Sequence, residues 1–168
     1  ITGEPPMRAL AEKMIDRLGD SGPVLMYMTY ERTVINGLIE LFPDLAAPLQ
    51  KIIDRLYDLH PVVKAHYYHP DMLGSWSIKA VMPTINPDMD YARLEGIKEG
   101  TAASDGFLEA IGSRPMAAPT GAPMAAPTAE RKAELEEQLL RYCKFDTEAM
   151  VEIVRFFQTW GPPDGKKM

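Results

Sequence analysis

A tyrosine and an aspartate four positions apart, Tyr142 and Asp146, form the pair in this sequence best suited to chemistry. On a helix this spacing puts the phenol hydroxyl and the carboxylate on one face. The carboxylate could then hold a divalent cation while the hydroxyl orients an attacking water molecule. The structural alternative is that Asp146 caps a helix containing residues 147–157, with Tyr142 as a half-buried core aromatic.

Two more acidic residues are candidates: Glu31 follows a short apolar run, and Asp58 follows a long apolar helix. Residues 24–28 predict a buried strand, and ligands of open α/β sheets gather beyond the carboxyl ends of strands. This position favours a site that includes Tyr27 and Glu31. The alternative is that Glu31 only occupies the first turn of a helix, where the helix dipole favours a carboxylate. Asp58 either supports a metal site from behind or is a simple turn residue.

The elements around these residues predict a pair of parallel strands. Apolar residues at helical spacing predict a helix over residues 7–18, which ends at Gly19. Helices from about Glu31 and from Pro43 then separate the strand at 24–28 from a short extended segment at 58–60. Because a helical crossover joins parallel neighbours, we expect the Asp58 region to lie parallel beside the first strand.

The second half of the chain predicts further helices and one irregular stretch. We expect a short helix over 78–82 that Pro83 stops, and a helix over 99–111. A charged helix runs from Ala129 toward Tyr142, and a further helical face covers 150–160. Residues 113–128 repeat a Pro-Met-Ala-Ala-Pro-Thr unit, which predicts a Pro/Ala-rich linker or loop.

The balance of these elements predicts a helix-rich α/β fold. Two strands make a poor sheet, so we expect the first strands of the sheet to lie upstream of this chain. The first residue is Ile1 rather than Met, which agrees with a longer polypeptide. Residues 1–168 are therefore interpreted as one partial domain.

Composition narrows the class of protein only slightly. The 168 residues carry a formal net charge of −6, which gives no general attraction for nucleic acid. The single cysteine excludes an internal disulfide and suits a reducing cytoplasm. No apolar run approaches the roughly 18 residues that span a membrane, so no membrane partner is expected.

The order and spacing of five segments closely resemble one uncharacterised bacterial domain family, which looks like a DEDD-type 3'-5' exonuclease of the ribonuclease H fold. The resemblance covers nearly the whole chain outside 113–128. The segments are residues 24–31, Asp54-Arg55-Leu56-Tyr57-Asp58-Leu59, Tyr67-Tyr68-His69-Pro70, Gly74-Ser75-Trp76-Ser77-Ile78-Lys79-Ala80-Val81-Met82-Pro83 and Tyr142-Cys143-Lys144-Phe145-Asp146-Thr147-Glu148-Ala149-Met150.

The resemblance implies a site in which four carboxylates hold two Mg²⁺ or Mn²⁺ ions. Asp146 matches the last carboxylate of the family pattern, and Tyr142 matches the residue that orients water. Glu31 stands where the pattern has an aspartate, and Tyr27 where it has an asparagine, so both depart from it. Asp58 matches a supporting acidic position. The remaining Asp-x-Glu segment has no counterpart here and is expected before residue 1.

The implied activity is hydrolysis of phosphodiester bonds in single-stranded DNA or RNA, with this chain as a carboxy-terminal part that is inactive alone. The upstream domain of the same polypeptide is the other expected partner. The alternative is a nucleic-acid- or protein-binding module that keeps the fold and has lost catalysis. A helical interaction domain unrelated to nucleases would lack the strand at 24–28. We expect Glu31, Tyr142 and Asp146 to face one cleft.

Overall fold

A pair of short parallel strands lies between two groups of helices. The computed structural model describes residues 6–112 and 127–159. Its two strands are β1 (Val24–Met26) and β2 (Leu56–Asp58), and its α-helices are α1 (Met7–Leu18), α2 (Tyr30–Leu41), α3 (Ala46–Ile53), α4 (Leu59–His66), α5 (Ile78–Ile85), α6 (Gly100–Ala110) and α7 (Ala129–Thr159). Single 3₁₀ turns occupy Pro43–Leu45, Pro70–Met72 and Tyr91–Arg93.

The predicted parallel pairing is confirmed. β1 and β2 run parallel, with Val24 opposite Leu56 and Met26 opposite Asp58, and α2 and α3 form the crossover between them. Among the described residues these two strands form the whole sheet. The chain is therefore helix-rich α/β, as its sequence predicts.

The two faces of the sheet pack against different cores, because successive side chains of a strand point to opposite sides. Val24 packs against the core of α1, α2 and α3, whose centre is formed by Leu38, Leu49 and Ile52. Leu25 packs against the second core, which α4, α5 and α7 share. Helices thus cover both faces of the sheet, the arrangement that parallel strands require.

The connection into β1 is held by one guanidinium group. Arg55, immediately before β2, donates hydrogen bonds to the carbonyl oxygens of Leu18, Gly19, Ser21 and Gly22. The Val24 N–H donates to the Arg55 carbonyl at 2.9 Å. One side chain therefore satisfies the carbonyls of the α1–β1 turn and ties that turn to the neighbouring strand.

Three boundaries differ from the sequence predictions. The extended segment expected at 58–60 is β2 at Leu56–Asp58, because Asp58 caps α4 and that helix begins at Leu59. The predicted separate helices around Tyr142 and 150–160 are one continuous helix, α7, and Pro83 lies inside α5 instead of ending it. Pro83 removes one helical hydrogen bond, but Val81 and Met82 are fully buried, and this burial offsets the loss. The last turn of α5 is also held by Tyr67, whose hydroxyl donates to the Thr84 carbonyl at 3.2 Å.

The remaining predictions concern α6, the stretch that follows it and the possibility of a membrane-spanning helix. Helix α6 is confirmed at nearly the bounds expected from the sequence. The predicted linker over 113–128 falls almost entirely outside the described residues. No helix of the described ranges is both long enough and apolar enough to cross a membrane.

Candidate functional site

A cleft of about 400 Å³ opens beside the carboxyl end of β1. Three stretches of chain contribute its lining: residues 27–31, residues 77–79 and one face of α7 between 142 and 150. The three stretches are distant in sequence and come from the β1–α2 turn, the start of α5 and the middle of α7. This cleft lies where an open α/β sheet places its ligands.

The α7 wall carries Tyr142, Asp146 and Met150 at intervals of four residues. This spacing puts the three side chains on one face of a helix. Because α7 runs unbroken from Ala129 to Thr159, Asp146 is an interior helix residue, and the capping alternative is wrong. Residues 129–159 contain no glycine or proline, so nothing in this stretch interrupts the helix.

Asp146 is held in place by Tyr91, a residue that sequence reasoning missed. The Tyr91 hydroxyl donates to Asp146 Oδ1 at 2.6 Å, and the Tyr91 ring packs edge-on against Phe145. Tyr91 is only 3% exposed, and burial followed by the Asp146 hydrogen bond raises its pKa far above the ordinary value. The phenol therefore stays protonated and remains a donor to the carboxylate.

Tyr142 is buried in the wall of the cleft with its phenol protonated. Burial is the main cause that raises the pKa of Tyr142, and the charge of Asp146 raises it further. Its ring lies 6.4 Å from that of Tyr91, in an edge-to-face arrangement. The pair Tyr142 and Asp146 thus combines a hydroxyl donor with a carboxylate, as their spacing in the sequence predicts.

Glu31 lies across from α7, in the first turn of α2. Its Oε2 atom is buried and has no hydrogen-bond partner among the described residues. Burial is the main cause that raises the pKa of Glu31 above the ordinary value, and the charges of Asp58 and Asp146 add to this effect. A backbone hydrogen bond to Glu31 partly opposes it. Glu31 therefore starts a helix, lines the cleft and carries a buried acceptor that no described residue satisfies.

Replacing Glu31 with glutamine is expected to stabilise the metal-free chain at neutral pH by about 1 kcal/mol. A group whose pKa is higher in the folded than in the unfolded state costs stability when it is ionised. The gain should therefore be largest above the folded pKa of Glu31, and it should shrink as the pH falls below that value. Urea unfolding at several pH values measures this difference.

Glu40→Gln provides a matched control for that substitution, because Glu40 is an exposed residue of the same helix. It should change the free energy of unfolding by less than about 0.5 kcal/mol at every pH. A destabilising Glu31→Gln variant would mean that the carboxylate is already satisfied in the folded chain.

Asp58 supports the cleft from behind and does not line it. Asp58 Oδ1 accepts hydrogen bonds from the backbone N–H groups of Met28 and His60, both at 2.9 Å. The second bond makes Asp58 the N-cap of α4. The hydrogen bond from Met28 holds that residue at a left-handed φ of 71°, which residues other than glycine rarely adopt. β1 therefore ends at Met26, and the following turn leads into Glu31.

Tyr27 is held by contacts with the segment before α5 and with α4. Its hydroxyl donates to the Trp76 carbonyl at 2.6 Å, and its ring packs edge-on against His60. Burial, followed by the charge of Asp58, raises the pKa of Tyr27. This hydrogen bond links the β1–α2 turn to the segment that precedes α5, so Tyr27 joins two walls of the cleft.

The cleft offers two carboxylates to a metal ion, those of Glu31 and Asp146. Within the described ranges, no three His, Cys, Asp or Glu side chains gather closely enough to hold a metal. Mg²⁺ is often held by one or two carboxylates together with water and substrate phosphate. The buried, unpartnered oxygen of Glu31 fits such an ion. A two-metal centre would need carboxylates beyond these two.

The start of α5 forms the third wall and also lay outside the residues that the sequence singled out for chemistry. Ser77, Ile78 and Lys79 line the cleft there. A lysine in a short apolar helix gives no chemical signal of its own in a sequence. Only the packing of α5 against α7 brings them opposite Asp146.

Comparison with known families gives one match. Residues 1–77 match the model of a domain of unknown function, DUF2779. This uncharacterised family covers the chain from its first residue to the segment just before α5, so the matched region includes Glu31 and Asp58 but neither Tyr142 nor Asp146. No match was found among curated proteins. A search of solved structures also found none.

Proposed function

We propose that the cleft is part of the active site of a metal-dependent 3'-5' exonuclease of the ribonuclease-H-like class, acting on single-stranded DNA or RNA. The observation that carries the proposal is the meeting of Glu31 with Tyr142 and Asp146 in one cleft beyond the end of β1. The chain contributes the carboxy-terminal part of that domain. These are the residues that the family resemblance assigns to the chemistry.

Each residue has a role that its surroundings support. Glu31 and Asp146 would hold Mg²⁺ or Mn²⁺, which, when bound, offsets phosphate charge and makes water a better nucleophile. Tyr91 keeps the Asp146 carboxylate oriented through its hydrogen bond. Tyr142, protonated beside Asp146, can donate a hydrogen bond to the attacking water and fix its position.

The remaining carboxylates would come from an Asp-x-Glu strand that pairs with β1. Among the described residues β1 pairs only with β2, so its other edge can accept such a strand. A carboxylate pair on that strand would face the same end of the sheet as Glu31. The proposal therefore assigns complete metal binding to a polypeptide that carries both parts.

The test is release of nucleotides from labelled single-stranded DNA and RNA with Mg²⁺, Mn²⁺ or EDTA. The 168-residue chain alone should release none, because two carboxylates do not offset the charge of two metal ions. A polypeptide that also carries the Asp-x-Glu strand should release nucleotides only with metal, starting from the 3' end. Robust metal-dependent release by the 168-residue chain alone would mean that the active site lies elsewhere.

A binding module without catalysis is the second candidate. It is favoured by the glutamate at position 31 and by the finding that no three metal-binding side chains cluster within the described ranges. Glutamate is one methylene longer than the aspartate of the family pattern, which changes where its oxygens lie. An extended polypeptide that binds oligonucleotides but cleaves none with any metal would favour this candidate over the nuclease.

A further inference from the structure

Lys79 contributes a positive charge to the cleft, and this charge has no anionic partner in the part of the chain that the structure describes. Its side chain is half-buried and lines the same cleft as Glu31 and Asp146. Its ammonium nitrogen lies 5.7 Å from the centroid of the Tyr91 ring, and within the described ranges it makes no hydrogen bond or ion pair. A half-buried cation that forms an ion pair with neither of the two cleft carboxylates is available for an anion from outside.

The geometry limits where Lys79 can act. The Tyr91 ring below its ammonium group is the same ring whose hydroxyl binds Asp146. The cation–π contact steadies the ammonium group over this ring. Tyr91 thus positions both the carboxylate and the cation, and an anion bound by Lys79 would lie close to the oxygens of Asp146.

The anion is expected to belong to a larger molecule with apolar parts. Met28, Ile78 and Met150 also line the cleft, and the Met28 side chain is 51% exposed. An inorganic phosphate would leave these three side chains uncovered. The sugar and base of a nucleotide would cover them, since methionine packs well against flat rings.

We propose that Lys79 binds a phosphate group of the single-stranded nucleic acid in this cleft, while the apolar side chains beside it contact the sugar and base. The inference rests on the proposed function, because it places the substrate at the same cleft. It adds a substrate-binding residue to the carboxylates. It also gives this acidic chain one contact for a polyanion, since Lys79 is the cleft's one cationic side chain within the described ranges.

The test is binding rather than cleavage, so the 168-residue chain suffices. Fluorescence anisotropy of a short fluorescein-labelled oligothymidylate measures the dissociation constant in Ca²⁺ and in EDTA, over a series of salt concentrations. Lys79→Ala should weaken binding about tenfold, as expected for one charge-assisted hydrogen bond. It should also reduce the slope of log binding constant against log salt concentration by about 0.7, which is the contribution of one phosphate contact on a single strand. Lys79→Arg should retain most of the binding.

Lys51→Ala is the matched control, because Lys51 is an exposed lysine of α3 that does not line the cleft. It changes the net charge equally and should alter the dissociation constant less than twofold. Thermal unfolding of each variant checks that the fold is kept. Unchanged binding by a folded Lys79→Ala variant, or an equal loss in Lys51→Ala, would overturn the assignment of Lys79.

Comparing binding in Ca²⁺ with binding in EDTA separates this inference from the proposed function. In a polypeptide that also carries the Asp-x-Glu strand, binding that depends on Lys79 but is equal in Ca²⁺ and EDTA would support the phosphate contact and contradict a metal-dependent site. Binding that depends on Ca²⁺ but not on Lys79 would leave the metal site standing and overturn the inference. Thymidine monophosphate as competitor distinguishes a terminal nucleotide from the internal phosphates of a strand, since only a terminal contact lets the monomer compete effectively.

Discussion

Replacing Asp146 with asparagine is expected to abolish metal-dependent cleavage in a polypeptide that carries this chain together with the Asp-x-Glu strand. The change keeps the shape of the side chain, and the amide oxygen can still accept the hydrogen bond from Tyr91. It removes the negative charge that a divalent ion needs. Because loss of even an outer-shell partner lowers metal affinity about 10–100-fold, loss of a ligand should exceed about a hundredfold.

Two further variants should have smaller effects on metal binding or cleavage than Asp146→Asn. Tyr91→Phe removes the hydroxyl that orients Asp146, and it should weaken Mn²⁺ binding about tenfold, as an outer-shell partner does. Tyr142→Phe keeps the metal ligands and should slow cleavage less than Asp146→Asn, because it removes only a hydroxyl that positions water. Titration of Mn²⁺ by electron paramagnetic resonance, beside the nucleotide-release assay, separates binding from turnover.

Asp105→Asn serves as the control for Asp146→Asn, because Asp105 is exposed on α6 and does not line the cleft. It should leave both Mn²⁺ binding and cleavage within twofold of the unchanged protein. If Asp146→Asn kept full cleavage, the metal would be held by other residues and the assignment of this cleft would fail.

Replacing Asp58 with alanine is expected to destabilise the chain by about 2 kcal/mol. About half of this comes from the lost N-cap of α4, and the rest from the Met28 N–H, which loses its acceptor. The left-handed backbone of Met28 should then relax, since strain of this kind persists only where the surroundings hold it. Urea unfolding measures the stability change.

Two comparison variants test whether Asp58 acts by holding the turn that leads into Glu31. Asp58→Asn keeps an oxygen acceptor and should lose less than about 1 kcal/mol, with Mn²⁺ binding largely retained. Asp54→Ala, at an exposed residue whose carboxylate accepts a hydrogen bond from Gln50, should cost less than about 0.5 kcal/mol. Equal losses in Asp54→Ala and Asp58→Ala would show that Asp58 has no special part in the turn.

The sequence by itself determined the elements whose signals are local or periodic. Apolar residues at helical spacing predicted α1 with its end at Gly19, and the run from Val24 predicted β1. A helical crossover leaves parallel neighbours as the favoured pairing, so the contact between β1 and β2 also followed from the sequence. Tyr142 and Asp146 could be placed on one helical face because their spacing alone decides it.

Only the tertiary structure decided features that depend on contacts between distant segments. Tyr91 reaches Asp146 because the 3₁₀ turn at Tyr91–Arg93 packs on α7, and no spacing in the sequence encodes that contact. The left-handed Met28 depends likewise on an acceptor supplied by Asp58, from the neighbouring strand. Pro83 shows the reverse case, in which burial of its neighbours overrides a local helix breaker. Local propensities act over a few residues, whereas the cleft is made by packing of segments that are far apart in the chain.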